Sequence, residues 1–458
     1  MKNGIIVLTV ALSLTLSSCG LYSKYDKTTQ VDENLYGNAG YDVGDNSSTL
    51  GNMSWRELFT DKKLQSLIEQ GLENNTNLQS AILSVEAAKA SLAASRLAYL
   101  PSVALSGEGT SSGLISGGAS TEYFTAVAAV SWEIDIFGKL TNQKLQSKML
   151  FEQQLYVVQA VRSQVVSSIA TLYYTLSMLD EQIAIARATE LSWSESVEAA
   201  KVMKEAGFMN EAGLAQLEAS YLSVKSAVLD LEVARKKSEN ALCGLLAITP
   251  QTITTSPLSD VTTPESISVG VPLQMLSSRP DVMAAESALA ASFYSRNVAR
   301  SSFYPSLNLT GAAGWTNYLG SVIVDPAEAI YSIVGELIQP IFTRGLNRAQ
   351  LIAAKSQFEK SRLAFEQSLI DSGIEVNDAF ITLNNTKAKA QLYASQVERL
   401  EVAASSTALM MTHGTTTYLE VLTAQQTLYN SQLQLVANRF DQMQSLITLY
   451  TALGGGRL

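Results

Sequence analysis

The chain repeats itself, and that duplication restricts its fold more than any other feature. RLAYLPSVALSGEG at 96–109 returns as RSSFYPSLNLTGAAG at 300–314, with Pro101 matching Pro305 at an offset of 204. DIFGKL at 135–140 returns as PIFTRGL at 340–346, with two extra residues before its glycine, so Gly138 matches Gly345 at an offset of 207. EAGFMNEAGLAQLEA at 205–219 returns more loosely as HGTTTYLEVLTAQQT at 413–427, with Gly207 matching Gly414, again 207 residues on. Markers that keep their order and spacing at three separate points imply two tandem structural repeats.

Each repeat reads as helix, two strands, a very long helix and a return helix. Lys139 to Ala206 holds neither Gly nor Pro, and Leu346 to His413 holds no Pro and one glycine, Gly373. At 1.5 Å per residue each of these helices would reach ~100 Å, too long for an ordinary globule. All nine prolines lie outside the four helical runs, and five of them, Pro250, Pro257, Pro264, Pro272 and Pro280, mark the connection between the halves. The expected organisation is a signal peptide at 1–18, a tether at 19–54, a first repeat at 55–246, a linker at 247–280, a second repeat at 281–453 and a tail at 454–458. Within the first repeat a helix around 78–100 leads to strands at about 102–136, a long helix at 139–206 and a return helix at 214–246. Within the second, a helix at 281–304 leads to strands at about 306–338, a long helix at 346–413 and a return helix at 415–453.

Along the first long helix, Leu155, Val158, Val165, Ile169, Leu172, Leu176, Leu179, Ile183 and Ala186 alternate by three and four residues, with Arg162 the exception in register. Phe358, Phe365, Leu369, Val376, Ala379 and Leu383 keep the same register in the second. A repeat of 3.5 residues predicts left-handed coiled-coil packing. A solvated antiparallel coiled coil would explain these helices completely, but it leaves the strands unexplained.

In 121–133, Phe124, Ala126, Ala128, Val130 and Trp132 share one face, while Thr121, Thr125, Ser131 and Glu133 weight the other. Leu307, Leu309, Ala313 and Trp315 likewise oppose Ser306, Asn308 and Thr310. Period-2 alternation suits an ordinary half-buried sheet or a membrane barrel. Strands of ~10 residues with aromatics near their ends favour the barrel. Four strands cannot close one, and open edges are not tolerated in hydrocarbon, so several chains must each lend four. An eight-stranded interior is filled by side chains, so a conducting barrel needs at least three chains related by cyclic symmetry.

The N-terminus agrees with a membrane setting. MKNGIIVLTVALSLTLSSCG has one Lys and then an apolar run from Ile5 to Leu16, too short for the ~20 residues that span a bilayer, which predicts a signal peptide. Its ending at Leu16-Ser17-Ser18-Cys19 resembles a lipoprotein cleavage box and implies acylation of Cys19. That leaves Cys243 as a buried free thiol. Only 16% of the chain is charged, against about 25% for soluble domains, which hints at surface hidden in lipid or in other chains. The net charge of −10, with scattered Lys and Arg, argues against nucleic acid as a partner. The one histidine, His413, excludes His-based metal cages and most triads within one chain, and no Gly-rich phosphate loop follows a strand. No metal, cofactor or enzymatic activity is expected. The 11 methionines look scattered, and they suggest no metal relay.

The lipobox, the Pro-capped duplicated strand pairs, DIFGKL, SSRPDVMAAESAL at 277–289 and HGTTTYLEVLTAQQTLYNSQ at 413–432 together resemble the TolC-like outer-membrane efflux proteins, in their lipidated OprM, CusC and NodT-type branch. The resemblance covers essentially the whole mature chain. It implies a mixed fold, a twelve-stranded membrane β-barrel continuous with a long α-helical coiled-coil barrel, built as a homotrimer. It further implies the exit duct of a tripartite efflux pump in the cell outer membrane, partnered by a periplasmic adaptor, an RND-type inner-membrane transporter and outer-membrane lipid. Two alternatives stay open. One is the exit duct of a type I protein-secretion system, and the other is a lipid-anchored structural coiled coil that conducts nothing.

Carried over residue by residue, the family's adaptor contacts fall on Gly207, Phe208 and Met209 at one hairpin tip and on Gly414, Thr415 and Thr416 at the other. Gly is also common at helix ends for steric reasons alone. The family's tunnel constriction falls on Leu419, Glu420 and Thr423, and Glu420 is the one carboxylate among them, so three symmetry-related copies would repel one another. Where several members close the tip with acid–Arg–Tyr links, this chain has Thr416 and Met411 in place of an Arg and a Tyr. At the barrel-to-tunnel junction, parity turns Trp132, Ile134 and Ile136 to lipid or neighbouring strands and Glu133 and Asp135 to the lumen. Asp135 could equally cap the incoming helix, while Gly138 and Gly345 relax the backbone at the turn.

Overall fold

The computed structural model describes residues 22–26, 50–113, 115–117, 121–260, 279–318 and 329–456. The expected signal peptide, Cys19, most of the tether and residues 261–278 of the linker lie outside the described residues. The order is α1 (Trp55–Leu58), α2 (Lys62–Asn74), α3 (Thr76–Leu97), β1 (Ser102–Ser112), β2 (Thr121–Ile134), α4 (Lys139–Glu205), α5 (Glu211–Leu245), α6 (Pro280–Ser301), β3 (Ser306–Tyr318), β4 (Ala329–Ile338), α7 (Leu346–Thr412) and α8 (Tyr418–Ala452). α4 and α7 are each 67 residues long. None of the described helices is long and apolar enough to cross a membrane.

Several boundaries differ from expectation, each for a local reason. Three helices, not one, precede β1. A capping box of Ser54 and Glu57 starts α1, and Asp61 starts α2 by accepting from Lys63 N at 2.8 Å. α3 stops at Leu97, short of Pro101, since the residues ahead of a proline disfavour helix. α5 begins at Glu211 because Asn210 accepts from Gly213 N at 2.9 Å and so draws Gly213 into the first turn. α8 begins at Tyr418, later than expected, because Thr415 is used to close α7.

The chain divides into two compact units, with the boundaries falling inside α3, α4, α6 and α7. The first unit contains Leu83–Leu155 and Ala284–Gln367 and includes the sheet. Its antiparallel strands run in the order β1-β2-β3-β4. The β2–β3 pair joins the repeats, with Trp132 opposite Leu309 and Ala128 opposite Ala313. Residues directly opposite share a face, so Leu105, Ala128, Ala313 and Tyr331 fall together, as do Val103, Val130 and Ile333. The other face carries Ser102, Ser131 and Thr310 in one row and Glu133, Asn308 and Glu336 in another. The apolar face is uncovered, with Leu105 85% and Ile333 80% exposed. A soluble sheet buries that face, and this one does not. β1 and β4 each pair on one side only, so both edges are open. Gly314 is required here, since a Cβ would fall 2.0 Å from the carbonyl oxygen of Ala126 on β2. The N-terminal segment Tyr22–Asp26 also belongs to this unit, where Tyr25 packs edge-on to Phe293 with ring centroids 5.7 Å apart.

The second unit contains Val31–Ile82, Tyr156–Met283 and Ser368–Leu458. Its larger core gathers Trp55, Leu64 and Ile68 around Ile169, Tyr173 and Leu176 of α4, with Leu242, Val376, Leu383 and Tyr450 from the other long helices. The heptad positions Val165, Ile169, Leu176, Val376 and Leu383 are buried in it, Leu369 is also buried, and Phe365 is buried within the first unit. A smaller core nearer the hairpin ends joins Trp193, Val197, Leu217, Val224 and Tyr429. Cys243 is free and buried. The segment after α5 is held by acidic groups. Asp180 accepts from Thr255 Oγ1 at 2.9 Å, Glu181 from Leu258 N at 2.8 Å, and the buried Glu239 from Ile253 N at 3.0 Å. Arg279 lies ahead of α6, donating to Asp281 at 2.6 Å, to Glu375 at 2.8 Å and to the Ala452 carbonyl at 2.8 Å.

Candidate functional site

Two places collect the candidate residues, one in each unit. In the second unit the α4–α5 and α7–α8 turns close with the same geometry. Phe208 N donates to Met203 O at 2.8 Å and Gly207 N to Lys204 O at 3.0 Å. Thr415 N donates to Met410 O at 3.0 Å and Gly414 N to Met411 O at 3.0 Å. Each pair caps the last carbonyls of a helix, and the motif places one residue in the left-handed region. Those residues are Gly207 at φ +78° and Gly414 at φ +69°, a conformation that costs a side-chain-bearing residue ~1–2 kcal/mol. Phe208 then projects with 82% of its surface exposed.

A cavity of about 670 Å³ lies between the two turns. It brings Phe208 and Met209 together with Gly414, Thr416 and Leu419. Gly207, Thr415, Glu420 and Thr423 do not line it. Glu420 sits in the first turn of α8, where a helix N-terminus favours negative charge, and it accepts a hydrogen bond from Thr416 Oγ1. Thr416, which stands in place of a family arginine, thus holds the acid through a local hydroxyl link. Thr423 Oγ1 donates to Leu419 O at 2.8 Å, and Leu419 is half exposed. Across the first turn, Lys204 pairs with Glu211.

The sequence singled out neither Met203 nor Tyr418, and Met411 only as the residue standing in place of a family tyrosine, yet all three are among the residues that line the cavity. Met411 lies in the other repeat from Met203 and Met209, so nothing in the sequence marked it as their neighbour, although all three line the same space. Tyr418 carries a buried hydroxyl without a hydrogen-bond partner, and burial pushes its pKa up to about 12. Its one signal was an aromatic residue at the start of a return helix.

In the first unit the strand-to-helix joints differ between repeats. After β2, Asp135 caps α4, its Oδ1 accepting from Leu140 N at 2.9 Å and its Oδ2 from Thr141 N at 2.8 Å and Thr141 Oγ1 at 2.6 Å. Of the two roles open to Asp135, the structure has the cap. Glu133 pairs with Lys139 Nζ at 2.9 Å, and Gly138 makes the turn at φ +72°. Trp132 Nε1 donates to Tyr99 O at 2.9 Å, and Phe137 stacks on Tyr304 with centroids 5.4 Å apart. After β4 the two extra residues need two left-handed positions, Arg344 at φ +52° and Gly345 at φ +84°. Among the described residues the side-chain cap there is Thr343 Oγ1, which accepts from Asn347 N at 3.4 Å, and Asn347 Nδ2 donates to Ser302 O at 2.8 Å.

Comparison with known proteins matches this architecture. The family model described as outer membrane efflux protein matches residues 67–247 and 271–455. The chain is 27% identical to the cation efflux system protein CusC of Escherichia coli O6:H1, over 98% of each chain. It is 26% identical to the outer membrane protein OprJ of Pseudomonas aeruginosa, over 97% of this chain and 94% of that protein. The solved structure of CusC, a transmembrane channel, superposes with a TM-score of 0.82 at 26% identity, covering 95% of this chain and 98% of CusC. Family members are channel proteins, not enzymes. The chain belongs to the outer membrane efflux protein family and is an outer-membrane efflux duct, its fold joining a β-barrel wall to a barrel of long helices.

Proposed function

We propose that three copies of the chain form the homotrimeric exit duct of a tripartite pump, a passive channel driven by an RND-type inner-membrane transporter through a periplasmic adaptor. The observation that carries this reading is the sheet, with its four strands, uncovered apolar face and two open edges. An edge in hydrocarbon must be paired, and three chains give about twelve strands, the fewest that leave an aqueous lumen. In this reading Cys19 carries the lipid, and repeats 55–246 and 281–453 flank the linker at 247–280 as two half-walls of one protomer.

The adaptor contacts the two turns through Gly207, Phe208 and Met209 and through Gly414, Thr415 and Thr416. The exposed Phe208 and the matching closures of the two turns support this. Leu419, Glu420 and Thr423 narrow the tunnel on the first turns of α8, and Glu133, Asp135, Gly138 and Gly345 form the barrel-to-tunnel joints. The test is reconstitution of the full-length, membrane-extracted protein in planar bilayers, with chemical crosslinking of the same sample. Cation-conducting pores and a crosslinked trimer are expected, whereas a non-conducting monomer or dimer would overturn the reading.

A further inference from the structure

Arg296 and Arg300 stand one turn apart near the end of α6, on the same helix face, and β3 begins at Ser306 just beyond. Like charges at this spacing repel, and among the described residues no carboxylate lies within ion-pair distance of either. The chain nevertheless invests in holding them. Arg296 Cζ lies 4.7 Å from the Phe293 ring centroid and 4.5 Å from that of Phe358. Arg300 Cζ lies 5.9 Å from the ring of Tyr22. Partial burial, and then the neighbouring Arg300 charge, push the Arg296 guanidinium below its ordinary pKa. Two fixed cations with no ion-pair partner among the described residues form a site that an external anion would complete.

Position names the anion. The strands cross the outer membrane, so the end of α6 lies at headgroup depth on the periplasmic side, where phospholipid phosphates are the dense anions. The basic side chains beside the strand bases continue around this end of the unit. Arg344 and Arg348 are exposed after β4, and Lys144 Nζ lies 5.0 Å from the Tyr99 ring beside β1. Arginine forks match phosphate oxygens in pairs, and aromatic stacking keeps the forks oriented. We propose that Arg296 and Arg300 bind the phosphate of an anionic phospholipid in the periplasmic leaflet of the outer membrane, fastening the base of each four-stranded wall to the lipid.

The experiment uses the full-length protein in nanodiscs of phosphatidylethanolamine doped with either phosphatidylglycerol or cardiolipin, with bound lipid read by native mass spectrometry after release. Wild type should retain the anionic lipid, and Arg296→Gln with Arg300→Gln should weaken retention about 30-fold, the worth of two basic groups at a membrane surface. Arg300→Lys should keep part of it. Equal retention by the double variant would overturn the proposal. Loss of the lipid to millimolar inorganic phosphate would also overturn it, reducing the pair to a free-anion site. Should the double variant not assemble, a photoreactive phosphatidylglycerol on wild type decides the matter. Labelling of 280–301 supports the site, and labelling confined to other segments refutes it.

Discussion

The Asp135 carboxylate holds Thr141 twice, accepting from its amide at 2.8 Å and from its hydroxyl at 2.6 Å. A further bond from Leu140 N makes Asp135 the N-terminal cap of a 67-residue helix. Asp135→Ala should cost ~1 kcal/mol, as cap removal generally does, whereas Asp135→Asn should keep only part of the stability, because its amide offers one accepting oxygen where the carboxylate uses two. Urea unfolding of the detergent-solubilised protein reads the difference, and equal midpoints for the two variants would dismiss the cap.

The sheet's two faces make opposite predictions one residue apart. Leu105→Arg places a charge on the apolar face and should cost ~2–4 kcal/mol near mid-membrane, lowering the amount of folded protein recovered from the outer membrane. Ser106→Arg faces the other way and should be tolerated. Equal recovery of both variants would show that the apolar face does not meet lipid.

The left-handed glycines at the turns should resist substitution. Gly207→Val and Gly414→Val should each destabilise by ~1–2 kcal/mol, visible as a lower thermal midpoint in circular dichroism. Phe208→Asp should leave that midpoint nearly unchanged, because most of its ring is exposed, while lowering export by the assembled pump, read as the susceptibility of a pump-dependent strain to that pump's own substrates.

Acid should loosen the second unit. Burial alone would raise the pKa of Asp281, but its bonds with Arg279 outweigh burial and hold it below the usual range. Burial likewise opposes Asp61, where the hydrogen bonds from Tyr173 and Lys63 N prevail and again lower the pKa. A carboxylate depressed in the folded state contributes stability that is complete above its unfolded pKa, ~3.9, and is lost as the pH falls through the lower folded value. The thermal midpoint should therefore be flat above about pH 5 and fall below about pH 4. Asp281→Asn should reduce that fall, and an unaltered acid limb would remove Asp281 from the account.

Much of this was legible because the repeats carry their own punctuation. Pro101 and Pro305 end helices, Gly138 and Gly345 begin them, and strict alternation assigned Trp132 and Glu133 to opposite faces of β2 before any register was known. What stayed hidden depended on distant partners. Asp61 starts a separate helix partly because Tyr173, far along the chain, donates to it at 2.5 Å. Met203 and Met411 meet around one cavity only because two hairpins end together. Alternation could not decide Asp135 either, because the pleat and the cap assign that residue incompatible directions and the hydrogen bonds go to the cap.

The two joints beneath the sheet also divide mechanical labour. Rotating α4 against β2 would break three bonds to one carboxylate, while rotating α7 against β4 would strain a long hydroxyl contact, one amide bond from Asn347 to Ser302 O and a backbone already turned through Arg344 and Gly345. The duplicated halves are therefore unequal in stiffness. Around a closed ring of such chains, braced and compliant spokes would alternate, and any twisting of the helices would be taken up at every second one.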